Sequence, residues 1–222
     1  MNLPPPILST KRTDLVEEYL LLWGTATVGP VGGRPDAGEV LTDVKDSLED
    51  LVDGKPRYMA VQGLVGVPWW FVGILHLLEC GGDFRRHLHN GDPLERPTVN
   101  VPKGRPPGAG PWTWEASAVD ALTLKGWGPD QVLRLGDGEP DWTLPTSLWR
   151  FEAWNGFGYR GKGLRSPYLW AGSSLEQPGR YSADGVFAKN LWSAQIGAGT
   201  VLKTALAAGI VQNTEFLGSV SC

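Results

Sequence analysis

The stretch that decides the fold is Val67–Leu94, VPWWFVGILHLLECGGDFRRHLHNGDPL. Pro68 suits the first position of a helix, where a missing N–H costs nothing. From Trp69 to Leu78 nearly every side chain is apolar, so the spacing predicts a helix buried on most sides rather than along one stripe. Gly81 and Gly82 then stop it, as glycine does just past a helix end. The last turn carries one carboxylate, Glu79. An acid placed where an apolar interior meets a polar cleft is pushed toward its protonated form, which is the form a general acid needs. The segment that follows is rich in His, Asn and Asp.

Upstream, Met1–Thr10 is Pro-rich and expected to be extended. Thr13-Asp14 predict the cap of a helix running to about Trp23, with Leu15, Tyr19, Leu20 and Leu22 as its apolar face. Gly24–Gly38 reads as a loop. Val40, Leu41, Val44, Leu48, Leu51 and Val52 have helical spacing, predicting a helix over Glu39–Val52 closed by Asp53-Gly54, with a separate short helix over Pro56–Val65. Downstream, His87–Val101 lacks helical periodicity, and Thr98-Val99-Asn100-Val101 alternates like a strand. A small β-hairpin or irregular lobe is expected there, ending in the loop PKGRPPGAGP. Further helices are predicted over Thr113–Leu124, with Thr113 as cap, over Thr143–Trp154 and over Asn190–Val211. A short one is expected at Asp130–Leu135, within the turn-rich segment Gly126–Pro140. Tyr159–Tyr181 reads as irregular and aromatic. There is no internal repeat. The fold class is α+β, mostly helical, with a small β-hairpin lobe.

Composition narrows the function classes. The formal net charge is −4, so no basic surface points to nucleic acid. Eleven Trp are expected mostly in the core, with some free to stack on sugar rings. The two cysteines, Cys80 and Cys222, make no disulfide framework. The N-terminal sequence has no apolar core after a basic segment, so no signal peptide is expected. The most apolar late segment, Ile196–Val211, contains Lys203 and several Gly and reads as a core helix, so stable membrane insertion is not expected.

Several uncommon strings occur together in order: the Pro-Trp-Trp helix ending in Glu79, HLHNGDPL, VPKGRP, TWEASAVDAL, FEAWNGFGYR and SPYLW. In this combination, over roughly Arg57–Ala205, the chain resembles a family of bacteriophage and prophage lysozyme-like proteins. Glu79 with Gly81, and Ala153-Trp154-Asn155-Gly156, are also similar to two motifs of lytic transglycosylases. Cys80 stands where that motif has Ser, and the Gly-Leu-Met-Gln motif of that class is absent. The resemblance implies a lysozyme-like fold that cleaves the sugar backbone of peptidoglycan. It implies residues 1–55 as an N-terminal helical extension and 56–222 as the catalytic domain.

On that reading Glu79 protonates the glycosidic oxygen. Asp92, in HNGDP, is the candidate second carboxylate, although an Asx turn before Pro93 accounts for an Asp there without chemistry. Asp83 is a weaker alternative. His89 and Asn90 are candidate substrate contacts in the lobe. Trp154, Asn155 and Tyr159 are the groove residues that the resemblance implies, with Tyr168 and Trp170 as weaker ones. Glu115 and Glu152 lie on predicted helices and read as structural or solvated, Glu152 being close in sequence to the groove segment. His76, His87 and His89 with Glu79 suggest a metal site only weakly, since no H-E-x-x-H is present, and no metal or cofactor is expected. Cys80 lies at a helix C-terminus beside an acid, the wrong place for a reactive thiolate.

The expected activity is an endolysin-like muramidase, a glycoside hydrolase acting on the β-1,4 bond between N-acetylmuramic acid and N-acetylglucosamine. A lytic transglycosylase or chitinase on the same scaffold is an alternative. A virion- or tail-associated wall-docking protein is another, with phage tail proteins as partners. The expected partner is the peptidoglycan glycan strand, reached at the cell wall by a protein made in the bacterial cytoplasm.

Overall fold

A computed structural model of the chain describes residues 3–128, 131, 134, 140–183 and 185–213. Among these, the regular structure is mostly helical, with one small two-stranded antiparallel sheet. The described residues group into two units, one from Met1–Leu48 with Thr143–Ile210, the other from Glu49–Trp142 with Val211–Cys222.

In the first unit, α1 (Arg12–Thr25) packs on α5 (Leu144–Asn155), and α5 meets α6 (Pro167–Trp170) and α7 (Ala198–Ala207). Leu15, Tyr19, Leu148, Phe151, Leu169, Trp170 and Leu202 form its core. Leu20, expected on the buried face of α1, is 42% exposed, and Glu18 takes that place. The cap expected from Thr13-Asp14 is not made, because the helix begins one residue before Thr13 and Asp14 instead accepts from Ser9 Oγ at 2.7 Å. The Pro-rich lead-in is held to this unit: Trp149 Nε1 donates to Thr10 O at 3.0 Å and Arg165 donates to Pro4 O at 2.8 Å.

A charged network lies inside the same unit. Arg160 donates to Glu18 Oε1 and to Glu152 Oε2, each at 2.7 Å, and to Ile7 O at 3.1 Å. Tyr19 donates its hydroxyl to the same Glu152 oxygen at 2.7 Å, while Glu18 accepts the Ile7 N–H. Burial pushes the Glu152 carboxyl upward despite Arg160, and pushes the Tyr19 hydroxyl far upward. The reading of Glu152 as structural fits this geometry.

The sheet is a hairpin of β1 (Arg180–Ala183) and β2 (Val186–Ala188), with Tyr181 opposite Phe187. This corrects the expectation of a hairpin around Thr98–Val101. Thr98–Val101 are irregular, the other form expected there: the Val99 and Asn100 N–H groups donate to the Asp92 carboxylate and the Thr98 N–H donates to Arg105 O. The chain leading to the hairpin holds one 3-10 turn, Arg160–Lys162, and the short α6. The closing helix is α7, shorter at both ends than predicted.

In the second unit, α2 (Val40–Val65), which begins in the first, is one helix of 26 residues and not the predicted pair. Asp53-Gly54 does not close it. Pro56 sits on its exposed side, as does Val52, the residue whose carbonyl a proline at 56 cannot bond. The buried stripe Val44, Leu51, Tyr58, Val61, Val65 continues past the proline at helical spacing. Gly66, at φ +74°, ends α2, and α3 (Trp69–Cys80) leaves at 118° to it. Gly73 is where the two helices meet, since a β-carbon there would lie 2.4 Å from Leu51 Cδ1. Every α3 residue except Leu77 and Glu79 is buried, as the sequence predicts. α4 (Trp114–Leu124) is capped by Thr113, whose Oγ1 accepts from Ala116 N at 3.2 Å. Seven of the eleven Trp are buried, so core packing accounts for most of them. The short helix predicted at Asp130–Leu135, and Cys222, lie outside the described residues. No single helix among the described residues is long and apolar enough to cross a membrane.

Removing one partner of a buried ion pair leaves an uncompensated charge, which costs about 3–5 kcal/mol. Arg160→Met is therefore expected to lower the unfolding free energy by about that amount, and Arg160→Met/Glu152→Met to recover part of it. Urea denaturation followed by tryptophan fluorescence measures both.

Candidate functional site

The site begins at the C-terminal turn of α3. Gly81, in the left-handed conformation (φ 60°, ψ 33°), closes the helix, and its N–H returns to Leu77 O at 2.9 Å. Glu79, the last residue but one of α3, is half-buried. Its charge opposes the burial that lowers the pKa of Lys125, just past α4, so the two groups lie in electrostatic range. The thiol of Cys80 points the other way, into the lobe, and donates to His87 O at 3.3 Å. Burial, with Glu79 beside it, pushes this thiol far upward, so it is no nucleophile.

The lobe Gly81–Thr113 is irregular, and polar side chains hold it in place. Its loop rests directly on the end of α3: a β-carbon on Gly91, at φ +74°, would lie 2.6 Å from Glu79 O. On its other side the loop is tied to α4. His87 Nδ1 meets Ser117 Oγ at 2.7 Å and its Nε2 donates to Arg96 O at 2.8 Å. His89 Nε2 donates to Asp120 at 2.8 Å, and Arg105 grips both oxygens of the same carboxylate. Burial holds His89 below the usual histidine range, against the pull of Asp120.

Asp92 organises the rest of the lobe. Its carboxylate accepts the Val99 N–H at 2.8 Å, the Asn100 N–H at 2.9 Å, Asn100 Nδ2 at 2.7 Å and Asn90 Nδ2 at 3.2 Å. Burial raises this carboxyl, but the donors outweigh it and the net shift is downward. The sequence motif HNGD thus builds a turn: Asn90 Oδ1 takes the Asp92 N–H at 3.0 Å and Asp92 O takes the His87 N–H at 2.7 Å. Asp83 is likewise engaged, by Arg85 and Arg86 at the lobe's exposed side. Among the described residues no group of three or more His, Cys, Asp or Glu has the placement of a metal site.

His76, on the same helix, is fully buried. It lies among Tyr58, Phe84 and Trp114, with ring centroids at 5.7, 4.4 and 4.6 Å, and its Nδ1 meets the Tyr58 hydroxyl at 2.9 Å.

The remaining expected site residues belong to the first unit. Asn155 ends α5, and Gly156 beyond it takes φ +93°, which turns the chain into Gly158 and Tyr159. Asn155, Gly156, Gly158 and Tyr159 line a cleft of 610 Å³ together with Tyr181, Ser182 and Gly185 of the hairpin. A smaller cleft of 180 Å³ shares Asn155, Tyr159 and Tyr181 and adds Tyr168, Arg180, Ser193 and Gln195. Tyr159 Oη accepts the Tyr181 N–H at 3.3 Å, and the two rings meet edge to face at 5.4 Å. Trp154 is buried and lines neither cleft.

The structure therefore brings Asn155, Tyr159 and Tyr168 to one polar-aromatic cleft system, and holds His89, Asn90 and Asp92 in a lobe whose Gly91 rests on the backbone of Glu79. Sequence reasoning missed Lys125 and the hairpin residues Tyr181 and Ser182. The string RYSADGVFA carried the signal for the hairpin, since an Asp-Gly pair between alternating residues marks such a turn. Comparison with protein-family models, curated proteins and solved structures gives no match for this chain.

Burial lowers the His76 pKa from its ordinary 6.5 to about 4. Above pH 6.5 the imidazole is neutral in both folded and unfolded chains. Below it the unfolded chain takes up a proton that the folded one refuses, so stability falls between pH 6.5 and about 4, by about 3 kcal/mol in all. His76→Phe is expected to flatten that decline, while costing about 1–2 kcal/mol at pH 7 through the orphaned Tyr58 hydroxyl. Denaturant midpoints at pH 7 and pH 5 provide the check.

Proposed function

We propose that the chain is a lysozyme-like peptidoglycan glycosidase with Glu79 as its general acid. The observation that carries this reading is the placement of Glu79: a half-buried carboxylate at the end of an otherwise buried helix, with a polar loop seated on its own backbone carbonyl. A carboxylate held on such a support keeps its position while the groups around it change, as a proton donor to a bound glycan must. The string similarities noted in the sequence support it independently. The cleft of the first unit supports the choice of a sugar substrate, since tyrosine rings offer stacking faces while an amide and a hydroxyl offer hydrogen bonds.

In the proposed reaction Glu79 gives its proton to the oxygen between N-acetylmuramic acid and N-acetylglucosamine. The bond from that oxygen to the anomeric carbon breaks, and the leaving sugar departs as an alcohol. The carboxylate left behind then takes a proton from the incoming nucleophile. With water as nucleophile the product is a reducing sugar; with the muramic acid 6-hydroxyl it is a 1,6-anhydro sugar. Asp92 serves in this reading as the anchor of the lobe, its oxygens being filled by four donors.

The cell wall, reached after synthesis in a bacterial cytoplasm, is the proposed place of action. General acid catalysis contributes roughly 100- to 10,000-fold, and Glu79→Gln is expected to lose at least that much. Mass spectrometry of soluble products from purified sacculi tests this. Muropeptides from the wild type and none from the variant support the reading; sacculi left intact by both proteins exclude it and favour a wall-docking role.

A further inference from the structure

The hairpin borders a second cleft of the first unit. Lys162, Leu164, Pro178, Phe187 and Lys189 line this space of 420 Å³. Leu164, Pro178 and Phe187 give it apolar walls. Gly179 lets two of them meet, since a β-carbon there would lie 2.8 Å from Leu164 and 2.9 Å from Phe187. The charged groups among its described lining residues are the two lysines. This is a local concentration of positive charge on a chain whose formal net charge is −4.

Lys162 is held differently from many other cations of the protein. Arg34, Arg57, Arg85, Arg105 and Arg160 each grip a carboxylate. Lys162 Nζ instead lies 4.6 Å above the Phe187 ring and 5.5 Å from that of Tyr181. An aromatic face positions an ammonium without neutralising it. Tyr181 lines the 610 Å³ cleft with Tyr159, and its ring meets that of Phe187 at 5.4 Å. The two clefts are thus neighbours across one aromatic pair.

We infer that this second cleft receives the acidic peptide stem of a glycan strand whose sugars occupy the first. The inference rests on the glycan reading of that first cleft. Lys162 and Lys189 would receive the stem's carboxylates, and Leu164, Pro178 and Phe187 its methyl and methylene groups. Two separated cations over an apolar floor suit a ligand that alternates carboxylate with hydrocarbon. A compact phosphate is better served by convergent backbone N–H groups. The cleft would therefore distinguish peptide-bearing glycan from neutral chitin-like glycan.

The test is an NMR titration of the full chain with the disaccharide-peptide released from peptidoglycan, beside the same disaccharide stripped of its peptide. Neither probe needs to be turned over. The wild type is expected to bind the peptide-bearing form roughly tenfold more tightly at low salt, with the preference shrinking at high salt. Lys162→Gln/Lys189→Gln is expected to lose that preference, Lys162→Glu/Lys189→Glu to reverse it, and Lys11→Gln, an exposed lysine elsewhere in the unit, to keep it. Lys162, Lys189 and Lys11 are all exposed, and an unchanged thermal midpoint in each variant confirms folding. Equal binding of the two probes by the wild type, or a full preference in the double glutamine variant, overturns the inference. Sacculi left intact alongside a lysine-dependent preference would remove the muramidase reading and leave this one standing; cleaved sacculi without the preference would do the reverse.

Discussion

Gly91 has no room for a side chain, because the carbonyl oxygen of Glu79 occupies the place where a β-carbon would go, 2.6 Å away. That contact fixes the lobe to the last turn of α3, and the geometry around Glu79 depends on it. Cys80 completes the joint from the helix side through His87 O, and Ser117 and Asp120 complete it from α4 through His87 and His89. A mobile polar loop would let water and stray donors reach the acid. Here the loop is seated from two sides, and the half-exposed carboxylate is carried by the most deeply buried helix of its unit.

The protein handles its carboxylates in two ways. Glu152 and Glu18 are shut away with Arg160, where their charges are met by strong donors and tie the lead-in to the unit through Ile7. Asp92 and Asp120 are also fully engaged, but in the lobe, where they replace a hydrophobic core that so short and polar a segment cannot build. Buried polar networks of this kind specify one arrangement more than they add stability. In this lobe the specified arrangement is the position of the loop over Glu79.

The parts of the chain that were legible in the sequence are those governed by local rules. The α3 helix announced itself by a run of apolar residues between Pro68 and a Gly-Gly stop, and α4 by Thr113 and its alanines. Pro56 misled because the cost of a helical proline depends on which side of the helix holds the carbonyl it cannot bond, and only the packed structure shows that Val52 is on the exposed side. Thr98–Val101 misled because alternation says nothing about where backbone N–H groups will go: those of Val99 and Asn100 go to Asp92, seven and eight residues upstream, and that of Thr98 goes to Arg105 O. The sequence shows that aspartate and its Asx-turn setting, but its reach to Val99 and Asn100 is a longer-range fact. The Asp-Gly pair between Ala183 and Val186 is a hairpin signal written in the sequence.

The engagement of Asp92 bears on chemistry as well as architecture. A retaining glycosidase needs a second carboxylate free to attack or stabilise, and an inverting one needs a carboxylate free to hold water. Each oxygen of Asp92 already accepts from the lobe, Asp83 is clasped by Arg85 and Arg86, and Asp120 is shared by Arg105 and His89. To use Asp92 or Asp120 as a nucleophile or base, the lobe would have to give up hydrogen bonds that hold its own loop together or tie it to α4. Within the proposed reaction, this leaves Glu79 to act as acid and then as base. The substrate's N-acetyl group or 6-hydroxyl would then supply what a second protein carboxylate supplies elsewhere.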